Sequence, residues 1–221
     1  MPIHILRADN DESPPRVFSG DEIVFATHNA GKVKEIRDLL GARVQNITIA
    51  ADHGLESPAE TGTTFVENAL IKARYVAEKT GKVALADDSG ICMKALDGAP
   101  GVYAADWAEK PDGTRDFGMA MQKAHDDAVE KHGSWDNAPK EAYFVSCLVL
   151  AWPDGHAEAV EGHAHGTLVW PPRGEEGFGY DPMFVPQNDT RTYGDMPPAD
   201  KKKTSHRAEA FRLLIERCFT P

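Results

Sequence analysis

A long β-rich segment in the second half of the chain constrains the fold more than any other feature. Residues 142–152 are rich in branched and aromatic side chains, and Pro153-Asp154-Gly155 is a turn signal. Residues 156–169 follow as a partner strand of similar length. Helical patterns and shorter strand-like runs lie on both sides of this hairpin. The combination predicts an α/β protein with two lobes around a cleft.

A strand, a polar turn and a helix follow one another near the start of the chain. Residues 22–26 form a strand-like apolar run, and Val33, Ile36 and Leu40 then recur at helical spacing. The turn between them contains Gly31, which permits close backbone approach, and Lys32, which adds a positive charge. Because a helix amino terminus attracts anions, the segment is interpreted as a phosphate-binding loop. Its spacing is not that of a Walker A motif, and many such turns bind nothing.

An acidic doublet, Asp87-Asp88, follows the short apolar run of residues 83–86, which is predicted to be a buried strand. Ligands of α/β sheets usually bind at strand ends. Two neighbouring carboxylates repel each other unless a cation or a shared proton compensates. The doublet is therefore a candidate metal or catalytic site. The alternative is that one aspartate caps a turn and the other is solvated.

Local signals define the remaining organisation. Thr64 and Glu67 form a capping box that opens a helix ending before Gly81. Further helices are expected at residues 114–132 and 205–219. Residues 1–21 are interpreted as an amino-terminal extension that is too polar and proline-rich to pack alone, and residues 22–221 as one catalytic domain.

Composition excludes several classes of function. The formal net charge of −11 argues against non-specific binding to nucleic acid or to membranes. The 3 cysteines show no metal-binding spacing and fit a reducing compartment. No apolar stretch reaches the roughly 20 residues of a membrane span. The expectation is a cytoplasmic protein without nucleic-acid or membrane partners.

Six motifs in order resemble those of the inosine triphosphate pyrophosphatases, which remove non-standard purine nucleotides such as dITP and XTP. The resemblance runs from Ile23 to the last helix. Its motifs are Thr27-His28-Asn29-Ala30-Gly31-Lys32, Glu60-Thr61-Gly62 with Phe65–Ala69 and Lys72-Ala73, Ala86–Gly90, Gly98–Tyr103, Gly177–Pro182, and Lys201 with Ser205-His206-Arg207. The departures are His28 and Ala208, where the family often has glycine, and the extension before Ile23.

This resemblance implies a long mixed β-sheet bent across two lobes, with flanking helices, a central nucleotide-binding cleft and a homodimer. It implies hydrolysis of ITP, dITP and XTP to the monophosphate and pyrophosphate with Mg²⁺. Glu60 and Asp88 would be the metal ligands, and Asp88, Asp87 and Lys32 the catalytic residues. The residues placed against the substrate are Thr27, His28, Asn29, Ala30, Gly31, Lys32, Lys72, Ser89, Phe178, Gly179, Tyr180, Asp181, Lys201, His206 and Arg207.

The residues themselves support this chemistry. Lys32 and Lys72 are suited to hold phosphates, and carboxylates are ligands that Mg²⁺ prefers. Phe178 can stack on a purine, and Arg207, which only donates hydrogen bonds, would favour a 6-keto purine over adenine.

Two other functions stay open: a nucleotide-binding regulator without hydrolysis, and a pyrophosphatase for other modified nucleotides. Each residue also has a simpler interpretation, since Phe178 could belong to the core, and His206-Arg207 and residues 201–203 could be solvated. A further pair, His163 and His165, lies on one side of a strand and could bind a transition metal, although no third ligand is evident.

Overall fold

The computed structural model describes residues 14–27, 33, 36–37, 40–41 and 43–219. The chain forms two compact units. The first holds the described residues up to Asp88, Ser146–Gly162 and those from Arg207 onward, and the second holds Ser89–Val145 and His163–His206. Each unit has hydrophobic core clusters of its own.

The described strands are β1 (Glu22–Phe25), β2 (Asn46–Ile49), β3 (Ala84–Met93), β4 (Pro100–Gly101), β5 (Glu141–Ala151), β6 (Ala157–Leu168) and β7 (Phe184–Pro186). They form one seven-stranded sheet with the order β2-β1-β3-β5-β6-β7, and β4 pairs with β3. β1 runs parallel to β2 and β3, whereas β4 and β7 are antiparallel to β3 and β6. The prediction of an α/β fold with a long mixed sheet is therefore confirmed.

The acidic doublet does not lie at a strand end, and this part of the sequence prediction is wrong. β3 continues through Asp87 and Asp88 to Met93, and nearly every one of its ten residues is buried. A buried strand can contain two carboxylates because polar partners satisfy both of them. The apolar run predicted the start of β3, but the acidic residues and Gly90 were misread as its end.

Four helices of the described chain accompany the sheet: α1 (Phe65–Thr80), α2 (Phe117–His132), α3 (Pro198–Thr204) and α4 (His206–Cys218). The capping box of α1 is confirmed, since the Thr64 hydroxyl accepts from the Glu67 N–H at 3.3 Å and Glu67 accepts from the Thr64 N–H at 3.0 Å. α2 begins later than residue 114 because Asp116 accepts from the Met119 N–H at 3.1 Å and caps it. α3 was not predicted. None of the described helices is long and apolar enough to serve as a membrane span.

The core of the first unit follows the alternation of β1. Ile23 and Phe25 pack in one cluster with Ile36 and Leu40, which are helical as predicted. Val24 packs in another cluster with the small residues of α1. Successive strand residues face opposite sides of a sheet, so β1 separates two apolar layers.

Residues 14–20, which were interpreted as part of an extension unable to pack alone, pack against other residues of the first unit. The Phe18 N–H donates to the Cys218 carbonyl at 2.6 Å, and the Phe18 and Phe219 rings are 5.4 Å apart. The Arg16 N–H donates at 2.9 Å to Glu158, whose side chain is fully buried. Arg217 also donates to Glu158, at 2.8 Å. Residues 1–13 of the predicted extension lie outside the described residues.

Candidate active site

One lysine joins two carboxylates in the first unit. Lys72 Nζ donates to Asp88 Oδ1 and to Glu60 Oε2, each at 2.8 Å. The side chains of Lys72 and Asp88 are nearly buried, whereas that of Glu60 is 41% exposed. The cluster therefore combines two negative charges and one positive charge at the edge of solvent. We call these three residues the acidic cluster.

The environment of the acidic cluster shifts the pKa values of its members. Burial raises the pKa of Asp88 to about 6, because Lys72 opposes the shift only in part and Glu60 adds to it. Burial alone would lower the pKa of Lys72, but Asp88 and Glu60 outweigh it and raise the value. The lysine therefore stays charged at neutral pH, and Asp88 holds a proton more readily than an exposed aspartate does.

The turn before α1 fixes the approach of Glu60. The Gly62 N–H donates to Asn68 Oδ1 at 2.8 Å, which ties this segment to the first turn of α1. A Cβ atom at Gly62 would lie 2.6 Å from Glu67 Cβ, so the position has no room for a side chain. This packing gives a physical reason for the Glu60-Thr61-Gly62 motif and its spacing from Asn68.

Asp87 has a separate environment from Asp88. Successive strand residues point to opposite faces, so the two carboxylates do not face each other. Ser146 Oγ donates to Asp87 Oδ1 at 2.7 Å, and Arg207 Nη2 lies 3.4 Å from Asp87 Oδ2. The side chains of Asp87 and Arg207 are 0% and 1% exposed. Asp87 is therefore the buried partner of an arginine, and Asp88 is the partner of a lysine.

The predicted phosphate loop is described only at its first residue. Thr27 follows β1 and its N–H donates to the Phe25 carbonyl at 2.9 Å. His28, Asn29, Ala30, Gly31 and Lys32 lie outside the described residues, so the phosphate-binding loop stays a prediction.

The donor set of the acidic cluster fits a divalent cation of the Mg²⁺ type. Asp88 Oδ2 is buried and has no hydrogen-bond partner among the described residues, which leaves its lone pairs available. Among the residues that the structure describes, no group of three or more histidine, cysteine or acidic side chains is arranged as a metal site. Mg²⁺ commonly uses one or two carboxylates and takes its other ligands from phosphates and water. Glu60 and Asp88 match that pattern.

An aromatic ring, a lysine and an aspartate come together in the second unit. Phe178 is 46% exposed, and its N–H donates to Asp181 Oδ2 at 2.7 Å. Lys201 Nζ donates to the same oxygen at 2.5 Å and lies 4.9 Å from the centre of the Phe178 ring. A Cβ atom at Gly177 would lie 2.1 Å from Asp181 Oδ2, so this turn requires glycine. We call Phe178, Asp181 and Lys201 the aromatic cluster.

The other predicted residues of the second unit are placed as follows. Tyr180 is buried and donates from its hydroxyl to the Ala104 carbonyl at 3.1 Å, which is a structural role. Gly179 has a φ of 70°, a conformation that favours glycine. Ser89 is half-buried in β3. His206 is buried and its ring stacks on that of Phe144.

Sequence reasoning missed the residues that support these groups from a distance in the chain. Ser146 lies on β5, the neighbour of β3, and Phe144 lies on the same strand. Tyr193 contacts both Phe144 and Lys201. The β-rich pattern predicted the strand of Ser146 and Phe144, but no local signal tells which strand lies beside β3.

The histidine pair lies outside both clusters. His163 and His165 are exposed on β6, with ring centres 6.0 Å apart, and both rings lie beside Tyr143. Packing against an aromatic ring accounts for this pair, and the described residues supply no third ligand.

Comparisons against known proteins agree with the fold. The sequence model of the Ham1 family matches residues 23–217, and the chain belongs to this family. A dITP/XTP pyrophosphatase of Rhodospirillum centenum is 53% identical over 93% of this chain and 98% of its own length. One from Zymomonas mobilis is 52% identical over 89% of this chain and 91% of its own length.

Solved structures give the same assignment. A HAM1 protein from Coxiella burnetii is 36% identical and superposes with a TM-score of 0.77, covering 87% of this chain and 95% of its own. A nucleoside-triphosphatase, or dITP/XTP pyrophosphatase, from Mycobacterium abscessus is 34% identical with a TM-score of 0.70, covering 88% and 98%.

Proposed function

We propose that this protein hydrolyses non-canonical purine nucleoside triphosphates, ITP, dITP and XTP, to the monophosphate and pyrophosphate, and so removes them from the nucleotide pool. The observation that carries the proposal is the acidic cluster, in a chain about half identical to dITP/XTP pyrophosphatases. The water oxygen forms a bond to the α-phosphorus. The bond between the α-phosphorus and the oxygen that bridges it to the β-phosphorus breaks, and pyrophosphate leaves.

The acidic cluster supports this reaction through charge and proton transfer. Glu60 and Asp88 would hold Mg²⁺, which neutralises phosphate charge when bound. Asp88 would also accept the proton of the attacking water. Lys72 would hold phosphate oxygens, together with Lys32 and the loop from Thr27. The resemblance also assigns Asp87 a part in activating this water, although its carboxylate is paired with Arg207.

The aromatic cluster supports recognition of the purine base. Phe178 offers an exposed ring for stacking, and Lys201 and Asp181 offer a donor and an acceptor beside it. His206 would donate to the base edge. Arg207 would donate to the 6-keto oxygen, a role that competes with its contact to Asp87.

We also propose that residues 22–221 act as one catalytic domain, that the enzyme is a homodimer, and that it works in the cytoplasm. The resemblance to the pyrophosphatases supports the single catalytic domain and the homodimer. The three cysteines are all free thiols, which supports a reducing compartment.

A panel of nucleoside triphosphates with Mg²⁺ tests the proposal. Pyrophosphate and phosphate release are measured for ITP, dITP, XTP, the four canonical triphosphates and modified pyrimidine triphosphates. We expect pyrophosphate from the 6-keto purines other than guanine. Phosphate release, or equal turnover of ATP, would contradict the assignment. Binding without turnover would indicate a regulator, and preference for a pyrimidine would indicate another substrate.

A further inference from the structure

Three buried aromatic rings form a layer in the second unit. The ring centres of Phe144 and Phe184 are 4.8 Å apart, those of Phe184 and Tyr193 are 5.3 Å apart, and those of Phe144 and Tyr193 are 6.1 Å apart. All three side chains are nearly or fully buried. Two residues of this layer each contact a side chain that is proposed above to bind the purine base. Phe144 contacts His206, and Tyr193 contacts Lys201.

Phe144 stacks on His206. The two ring centres are 4.9 Å apart and the planes differ by 13°. Parallel packing fixes the plane of the imidazole, and that plane fixes the direction of its N–H groups. Hydrogen bonds weaken steeply as the donor angle departs from linearity. The Phe144 ring therefore sets where His206 can donate.

Tyr193 holds the other base-contacting residue in two ways. Its hydroxyl donates at 2.8 Å to the carbonyl of Thr204, the last residue of α3. Its ring centre lies 5.4 Å from Lys201 Nζ, within the range of a cation–π interaction. The short helix that carries Lys201 is thus tied at its end, and the ammonium group lies between the Tyr193 ring, the Phe178 ring and Asp181.

We propose that Phe144 and Tyr193 are positioning residues for purine recognition, Phe144 by orienting His206 and Tyr193 by orienting Lys201. This inference rests on the proposed function, since it assigns both oriented side chains to the base. Neither aromatic residue contacts the substrate itself. Their loss should weaken base binding and discrimination without altering the chemical step in the acidic cluster.

Two substitutions and a matched control test the proposal. Tyr193→Phe removes a single hydroxyl and keeps the ring, and Phe144→Leu removes the stacking ring. Phe18→Leu removes a buried ring of the same size in the first unit, where it packs on Phe219. kcat and KM are measured for ITP and ATP in each variant, with thermal unfolding as the check on folding.

For Tyr193→Phe we expect KM for ITP to rise about 3- to 10-fold with kcat within about twofold, the size of one neutral hydrogen bond. For Phe144→Leu we expect a similar rise in KM, and a fall in the ITP-to-ATP ratio of kcat/KM by about 3- to 10-fold, the range of an aromatic pair. Phe18→Leu should lower the unfolding temperature and leave KM for ITP and the ITP-to-ATP ratio of kcat/KM within about twofold.

The outcomes separate the inference from the function on which it rests. Wild-type protein that releases no pyrophosphate from ITP or XTP overturns the proposed function, and this inference with it. Active wild-type protein with Tyr193→Phe and Phe144→Leu variants that match the Phe18→Leu control overturns only the positioning roles. A fall in kcat with unchanged KM would also overturn them, because the rings would then act on the chemical step. Tyr193→Phe keeps the test decisive should Phe144→Leu fail to fold.

Discussion

The acidic cluster and the aromatic cluster both pair a lysine with carboxylates, but they differ in net charge. In the first unit, Lys72 lies between two carboxylates and leaves a net negative charge. In the second, Lys201 is neutralised by one buried carboxylate, Asp181, and lies against an exposed ring. The first arrangement suits a cation and a proton transfer, and the second suits a flat, uncharged ring system. Changes in the first should therefore alter rate, and changes in the second should alter selectivity.

The largest expected effect is on the chemical step. Asp88→Asn keeps the shape of the side chain but removes the charge and the proton acceptor, so kcat should fall by about 100-fold or more. Asp97→Asn, an exposed aspartate paired with Lys131, is the control and should keep wild-type rates. Retained Mg²⁺-dependent turnover in a folded Asp88→Asn protein would remove the catalytic role of the acidic cluster.

The next largest effect is a loss of selectivity on substitution of Arg207, a residue of the first unit that is proposed to bind the purine base. Arg207→Ala should shrink the ITP-to-ATP ratio of kcat/KM by at least about tenfold, the worth of a charge-assisted hydrogen bond. Arg212→Ala on the exposed face of the same helix is the matched control. If both substrates lose activity by the same factor, Arg207 supports Asp87 and not the base.

A smaller effect is expected at the exposed ring of the aromatic cluster. Phe178→Leu keeps an apolar side chain but removes the stacking surface, so KM for ITP should rise about 5- to 10-fold with kcat nearly unchanged. Met119→Leu, at another exposed apolar residue, should change neither constant. A fall in kcat alone would break the distinction drawn between the two clusters.

The smallest effect contrasts two buried carboxylates of the first unit, Asp88 and Glu158. Burial alone would raise the pKa of Glu158, but hydrogen bonds from Arg16, His156 and Arg217 hold it below its usual value. Because the folded-state pKa is lowered, this carboxylate stabilises the protein above the unfolded-state pKa, and its contribution is lost as pH falls through the folded-state value. Glu158→Gln should lower the free energy of unfolding by about 1–2 kcal/mol at pH 7 and leave kcat unchanged.

Denaturant unfolding of both proteins from pH 7 to pH 3 measures this contribution. The difference between wild type and Glu158→Gln should be constant above about pH 6 and close in acid. A difference independent of pH would mean that the charge of Glu158 does not contribute.

Sequence patterns predicted most of the described helices and strands but not how the strands pair. The capping box and the apolar spacing of the helices are local signals, and the structure follows them. The partners of Asp87 and Asp88 lie far away in the chain, at Ser146, Arg207 and Lys72, so they depend on strand order and helix packing. The prediction that β3 ends at the doublet failed for the same reason, since these distant partners are what allow carboxylates inside a buried strand.

The alternation of β3 gives the repeated aspartate an evolutionary consequence. Two consecutive aspartates suggest functional redundancy. However, Asp87 faces a serine and an arginine, whereas Asp88 faces a lysine. Neither can substitute for its neighbour, since a strand residue cannot turn to the other face without shifting register. In a selection for revertants of Asp88→Asn, compensating changes should arise around Lys72 and Glu60, and Asp87 should remain unchanged. The two aspartates of the doublet therefore have different partners and are not interchangeable.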